Sequence, residues 1–302
     1  MQTLSQIKLS ELPEAGVPNG ANAVAECYLV RIHPPGLSEN LIPLRKPRTT
    51  IGRDETSDIE VVDDFTSRHH ATLERIGGSV WVIDHGSRNG TFVNDERIDR
   101  RQLRAGDHVR VGNRIYKFLS ADHPELQYHE AVYQMMTSDG LTNVANRRFF
   151  DDSFHRELVR CMRHSRPIAV LLLDIDHFKR INDLYGHLVG DECLRELCDR
   201  VQSVIRIDDL FARIGGEEFA IVITECGVAE TRICAERVRS HVAAQPFGRG
   251  RRLEIPLTVS IGIAHSDGTS IPSTEEFLSS ADKHLYRAKH EGRNRVAGPE
   301  GH

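Results

Sequence analysis

The sequence has no apolar run long enough to cross a bilayer. Its longest strongly apolar stretch, residues 169–173, falls far short of the roughly 20 residues a spanning helix needs. It also has little charge of one sign: 39 Lys and Arg against 44 Asp and Glu leave a net charge of −5. No basic surface is advertised, so DNA, RNA and anionic membrane are not expected as partners. The six cysteines (Cys27, Cys161, Cys193, Cys198, Cys226, Cys234) include no C-x-x-C pair and no zinc-type spacing. That argues against a disulfide framework or a zinc centre and for reduced thiols. The first residues lack a basic-then-apolar leader, so the expectation is a cytoplasmic protein with no membrane partner.

What is present is length and pattern. A chain of 302 residues has room for about two domains. Residues 1–25 carry Pro13, Pro18 and scattered polar residues without periodicity and read as a flexible tail. From 26 to 120 the pattern becomes short alternating apolar runs, such as Val80-Trp81-Val82-Ile83, broken by turn signals, which predicts an all-β sandwich. Residues 121–138 predict a linking helix: Pro124 suits a first turn, and Leu126, His129, Val132, Tyr133 and Met136 recur at helical spacing. Residues 139–302 then predict an α/β domain with one mixed sheet. Its expected helices run over about 146–164, from Gly190-Asp191 onward, 229–244 and 274–290, with a doubly buried strand at 168–173.

Inside the sandwich, three polar clusters fall on predicted loops: Ile51-Gly52-Arg53, Thr66-Ser67-Arg68-His69-His70 and Gly86-Ser87-Arg88-Asn89-Gly90-Thr91. Guanidinium forks, a hydroxyl and an amide together suit a phosphate. The segment resembles a forkhead-associated (FHA) domain, a phosphothreonine-binding module. The resemblance implies that Arg53 and Ser67 hold the phosphate with Arg68 assisting, that Asn89 fixes the peptide backbone, and that His70 is a structural loop residue. The partner would be a phosphothreonine-containing protein, or the chain's own tail phosphorylated at Thr3. A β-sandwich serving only as a spacer or dimerisation unit is the alternative.

The second half is organised around Arg213-Ile214-Gly215-Gly216-Glu217-Glu218-Phe219, set between two apolar runs. It predicts a hairpin with a Gly-Gly turn, whose glycines can take positive φ and admit a ligand close to the backbone. Two adjacent glutamates repel one another, and a divalent cation would relieve them. Upstream lie Asp139-Gly140-Leu141-Thr142, Asn146-Arg147-Arg148-Phe149 and Asp174-Ile175-Asp176-His177-Phe178-Lys179-Arg180-Ile181-Asn182-Asp183, followed by Gly186-His187 and Gly190-Asp191. Downstream lies Leu285-Tyr286-Arg287-Ala288-Lys289 with Gly292-Arg293-Asn294. Over roughly 139–295 these resemble, in order, the motifs of the GGDEF family of diguanylate cyclases. One departure is Asn143-Val144-Ala145, where the family usually has Gly, Leu and Pro.

The resemblance implies a palm-like, ferredoxin-related sheet and a homodimer that condenses two GTP into cyclic di-GMP and two pyrophosphates. Mg2+ (or Mn2+) would be held by Asp174, the Ile175 carbonyl and Glu217. Glu218 would help deprotonate the attacking 3′-hydroxyl, or else touch the metal's own ligands. Lys179, Lys289 and Arg293 would meet phosphates beside Gly215 and Gly216. Asn182 and Asp191 would read the base, since a carboxylate accepts from guanine's ring N–H and amine, which adenine does not offer in that arrangement. Arg206 and Asp209 stand at the spacing of the family's RxxD product-inhibition site, with a surface ion pair as the alternative. A non-catalytic phosphopeptide scaffold that only binds GTP or cyclic di-GMP is the competing reading of the whole chain.

Overall fold

The computed structural model describes residues 26–33, 41–248, 250, 253–269 and 272–299. The tail with Thr3 lies outside them. The chain divides into two compact units, one built mainly on Pro43–Asn113 and the other on Pro124–His302.

The first unit belongs to a sandwich of two sheets. Strands β1 (Cys27–His33), β2 (Leu41–Pro43), β7 (Thr91–Val93), β8 (Glu96–Ile98), β10 (His108–Val111) and β11 (Arg114–Ser120) form one sheet in the order β2-β1-β11-β10-β7-β8. The other runs β4-β3-β5-β6-β9, from β3 (Arg48–Gly52), β4 (Ile59–Glu60), β5 (Ala71–Ile76), β6 (Ser79–Asp84) and β9 (Arg100–Gln102). Alternate residues point inward, so Leu29, Ile51, Leu73, Val82, Val109 and Tyr116 are buried between the sheets.

Helix α1 (Pro124–Thr137) begins at the expected proline. The leading turn after it hangs on one carboxylate: Asp139 Oδ1 accepts from the Thr142 N–H (2.9 Å), the Thr142 hydroxyl (2.7 Å) and Arg213 Nη1 (3.0 Å). Burial alone would raise the Asp139 carboxyl, but these donors outweigh it and hold it below the usual range. Asn143 sits in this turn at φ 58°, in the left-handed region. There the family's glycine is free of strain, and Asn is among the few other residues that tolerate the conformation. Asn143→Gly should therefore leave stability nearly unchanged, while Asn143→Ala should lower it by ~1 kcal/mol. Chemical denaturation of both variants checks this, and equal losses would refute it.

The second unit is a five-stranded sheet, ordered β13-β14-β12-β15-β16, from β12 (Ile168–Ile175), β13 (Leu210–Arg213), β14 (Glu218–Thr224), β15 (Val259–Ser266) and β16 (Val296–Ala297). Only β15–β16 is parallel among these pairings, so the sheet is mixed. Central β12 is buried at every position. Ala169, Leu171 and Leu173 join Leu194, Leu197 and Val238 in one cluster, behind helices α4 (His187–Gln202) and α5 (Val228–Ala243). Ile168, Val170 and Leu172 join Phe150, Phe154, Phe277 and Leu285 in the other, under α2 (Arg147–His164) and α6 (Thr274–His290).

Helix α2 is capped by the Asn146 side chain, which accepts from the Phe149 N–H at 2.9 Å. Helix α6 opens on a capping box, Ser273 with Glu276. Three features depart from expectation. A separate helix, α3 (Phe178–Tyr185), precedes α4, and the break falls at Gly186, whose φ of 83° a continuous helix cannot hold. The short edge strand β16 carries too little pattern to be foreseen. Third, the Gly-Gly turn is not left-handed, since neither Gly215 nor Gly216 has a positive φ. The turn is wide instead: the Ile214 and Gly215 N–H groups both donate to the Glu218 carbonyl, at 2.9 and 3.2 Å.

Candidate active site

Three strand ends meet at one edge of the sheet. Asp174, next to last on β12, pairs with Glu218 of β14 on one side and Ser260 of β15 on the other. The Ile175 N–H donates to the Glu217 carbonyl at 3.3 Å, which brings the hairpin tip against the end of β12. By the alternation of a strand, Asp174 and Glu218 lie on the sheet face covered by α2 and α6. Helix α6 delivers Lys289 there, and its Nζ lies 2.7 Å from Asp174 Oδ2.

The electrostatics are those of crowded carboxylates. Burial pushes the Asp174 carboxyl up; Lys289 opposes this, and Glu218 and Asp176 add to it. Burial and then the Asp174 charge push Glu217 up as well. Glu218 is exposed at the tip, and its Oε2 lies over Gly215, 2.3 Å from where a Cβ would stand, so a side chain at 215 would make the carboxylate swing aside.

Several residues without an assigned role in the sequence prove to hold this site. Asp176 is buried and saturated: it accepts from the Thr258 hydroxyl (2.6 Å), the Ser260 hydroxyl (2.7 Å) and the Asn294 N–H (3.0 Å). It therefore ties β12 to β15 and to the segment after α6. That segment and the turn into α3 carry left-handed non-glycine residues, Arg293 (φ 63°), Asn294 (φ 44°) and His177 (φ 58°). Such backbone persists only where its surroundings enforce it. Arg213 donates from Nη2 and Nε to the Gly216 carbonyl, at 2.6 and 3.2 Å, and from Nη1 to Asp139. The glycine turn is thus braced from its own strand and from the leading turn. The signal for both was present, an aspartate and an arginine inside the motifs, but charge at a motif does not say whether it faces ligand or backbone.

Lys179 is exposed on the first turn of α3. Asn182 of α3 packs on α4 next to Gly190, where an added Cβ would lie 1.9 Å from Asn182 Oδ1. Arg206 and Asp209 are not part of this centre. They precede β13, whose far end carries Arg213, about 13 Å away along a four-residue strand. Asp209 Oδ2 accepts the Arg206 N–H at 2.8 Å, which shapes a turn. The pair lines a cleft of about 200 Å³ with Glu230, Cys234 and Arg237. Arg237 is a second cation there that the sequence did not single out.

Among the described residues no three His, Cys, Asp or Glu side chains converge as a ready-made metal cage. The candidate donor set is thinner: the Asp174 and Glu217 carboxylates and the Ile175 carbonyl. That set fits magnesium, which uses one or two carboxylates and completes its shell with water and substrate phosphates. The upward shift of both carboxyls fits as well, because a divalent cation would relieve it.

In the sandwich, Arg53, Asp64, Ser67, Arg68, Arg88 and Asn89 line a polar cleft of about 220 Å³. Arg53 follows β3, Ser67 and Arg68 precede β5, and Asn89 lies between β6 and β7, so three loops build it. Ser67 Oγ accepts the Arg88 N–H at 3.1 Å and keeps its own proton to donate. Asn89 Nδ2 donates to the Phe65 carbonyl at 2.7 Å. His70 is fully buried; its Nδ1 accepts the Ser67 N–H at 3.1 Å, and its Nε2 donates to the Gly90 carbonyl at 3.2 Å. Burial pushes the ring's pKa down, so it serves as a neutral strut. Gly52 is obligatory, since a Cβ would come 1.9 Å from the Arg68 carbonyl oxygen.

A β-sandwich with a cationic loop cleft, followed by an α/β domain with carboxylates at one sheet edge, matches two known families. Residues 136–295 match the family described as diguanylate cyclase, GGDEF domain, and residues 49–112 match the FHA domain. The chain belongs to the GGDEF family and carries an FHA domain ahead of it. Diguanylate cyclase DosC of Escherichia coli is 37% identical over 208 residues, 69% of this chain and 44% of the relative. Response regulator PleD of Caulobacter vibrioides is 39% identical over 167 residues, 55% of this chain and 36% of the relative. The chain thus spans less than half the length of these curated relatives. Among solved structures, the coiled coil and GGDEF domain of DgcB from Caulobacter crescentus, in complex with c-di-GMP, superposes with a TM-score of 0.54 at 34% identity, over 58% of this chain and 92% of that one. Among the described residues no helix is long and apolar enough to cross a membrane.

Proposed function

We propose that this protein is a diguanylate cyclase that joins two GTP into cyclic di-GMP with release of two pyrophosphates. The observation that carries the reading is the convergence of Asp174, Glu217, Glu218 and Lys289 at one sheet edge, in a chain of the GGDEF family. Asp174, the Ile175 carbonyl and Glu217 would hold Mg2+ (or Mn2+). When bound, that ion polarises the α-phosphate and stabilises the leaving pyrophosphate. Lys179, Lys289 and Arg293 bring positive charge to the triphosphate, and the bare backbone at Gly215 and Gly216 leaves room for it. Asn182 and Asp191 read guanine. Glu218, exposed at the tip, accepts the proton of the attacking 3′-hydroxyl. Each GTP attacks the other's α-phosphate, so two subunits face one another across a two-fold axis.

Two controls belong to the same reading. The cleft of Arg53, Ser67, Arg68 and Asn89 takes a phosphothreonine segment of a partner or of the chain's own tail, with Arg88 as a further cation at its rim. The cleft of Arg206 and Asp209, joined by Arg237, takes cyclic di-GMP as inhibitor. Since GTP is the substrate, the reading carries a cytoplasmic location.

The test is purified protein with GTP and magnesium, with and without a phosphothreonine peptide, followed by nucleotide chromatography. Unconsumed GTP in both arms would leave the binding-scaffold reading in its place. Arg206→Ala should keep the initial rate within about twofold while raising the final yield, because the product no longer finds its bidentate partner. Added cyclic di-GMP that still inhibits the variant as it does the parent would refute the inhibitory site.

A further inference from the structure

The Lys289 ammonium lies against Asp174, one of the carboxylates assigned to the metal. Its Nζ is 2.7 Å from Asp174 Oδ2, and the side chains are only 31% and 8% exposed. The contact is delivered rather than casual. Helix α6 lies so close on β15 that a Cβ on Gly262 would meet the Ala281 carbonyl oxygen and the Leu285 N at 2.2 Å each, which fixes the turn from which Lys289 projects. Asp176, the other buried carboxylate, is satisfied by Thr258, Ser260 and Asn294 and does not compete for it. An ammonium and a divalent cation cannot share one carboxylate oxygen without strong mutual repulsion in a partly dehydrated site. A triphosphate, by contrast, offers the ammonium a richer set of anionic oxygens within reach of a flexible stem.

We propose that Lys289 is a built-in counterion that occupies the metal-binding carboxylate of the free protein and yields it only when a nucleoside triphosphate draws the ammonium away. Metal and nucleotide then load together. This rests on Asp174 and Glu217 as the metal ligands and goes beyond that reading in assigning the order of events. It also gives Lys289 a second task besides meeting phosphate.

The test measures Mn2+ binding by paramagnetic resonance on the full chain without nucleotide. Lys289→Gln should bind Mn2+ at least about tenfold more tightly than the parent, since the carboxylates lose their counterion. Lys289→Arg should stay within about threefold of the parent, because the charge remains. Unchanged or weaker Mn2+ binding in Lys289→Gln overturns the proposal. A separate arm follows binding of a non-reacting GTP analogue to the parent at saturating Mn2+ by calorimetry. No analogue binding there would instead overturn the nucleotide-site reading on which the proposal rests, so the two failures are told apart.

Discussion

Glu217→Ala is expected to lower cyclic di-GMP synthesis by on the order of 10³-fold while leaving the protein folded. Glu217 reaches the end of β12 from the hairpin tip, and its carboxyl is raised by burial and by the charge of Asp174. Its removal takes away one of two proposed side-chain ligands of the metal. The same removal relieves a repulsion, and the side chain makes no hydrogen bond among the described residues, so stability should change by less than about 0.5 kcal/mol, or rise slightly. Initial rates at saturating GTP and magnesium, together with a thermal melt, separate the two effects. Turnover within tenfold of the parent would remove Glu217 from the metal site. A large drop in melting temperature would show that the residue is structural.

Gly262→Ala should produce the largest loss of stability from the smallest change of side chain. The added methyl would meet only backbone: the Ala281 carbonyl oxygen and Leu285 N at 2.2 Å, and Leu285 Cα at 2.8 Å. The strand cannot retreat, because Gly262 is paired with Leu172 on one side and Ala297 on the other. Helix α6 must lift instead, carrying Phe277, Ala281 and Leu285 away from the core they share with Phe154 and Val170. Overpacking of this kind, with no flexible side chain to give way, should cost about 3 kcal/mol or more. Activity should fall with it, since α6 delivers Lys289. Gly216→Ala is the control: a Cβ there meets nothing within 4 Å, so stability should move by less than about 1 kcal/mol. Urea unfolding of the two variants decides, and equal midpoints would refute the close approach of α6.

Local patterns carried much of the architecture. The alternation through Val80-Trp81-Val82-Ile83 belongs to β6, Pro124 opens α1, and α6 spans Thr274–His290, as expected, ending just ahead of Gly292. These are features of period and of chain-breaking residues, which act over one or two turns and are written in adjacent positions. Edge strand β16 escaped because two residues paired to a distant strand leave no period to read.

The chemistry divides along the same line. The sequence by itself determined which groups are available: the Asp174 and Glu217 carboxylates, the Asn182–Asp191 spacing, the loop cations Arg53 and Arg68, and the order of motifs that marks the GGDEF family. What each group faces was decided only by tertiary structure. Asp174 and Asp176 are two positions apart on one strand, yet one meets Lys289, 115 residues away in the chain, and the other is consumed by Thr258, Ser260 and Asn294. Arg213 turned out to brace the glycine loop, and neither glycine of that loop takes a left-handed φ. The physical reason is common to all of these. A side chain's partner is set by strand register and helix placement, which depend on the packing of the whole domain, whereas its identity and its local backbone preference are properties of the residue and its neighbours in the chain.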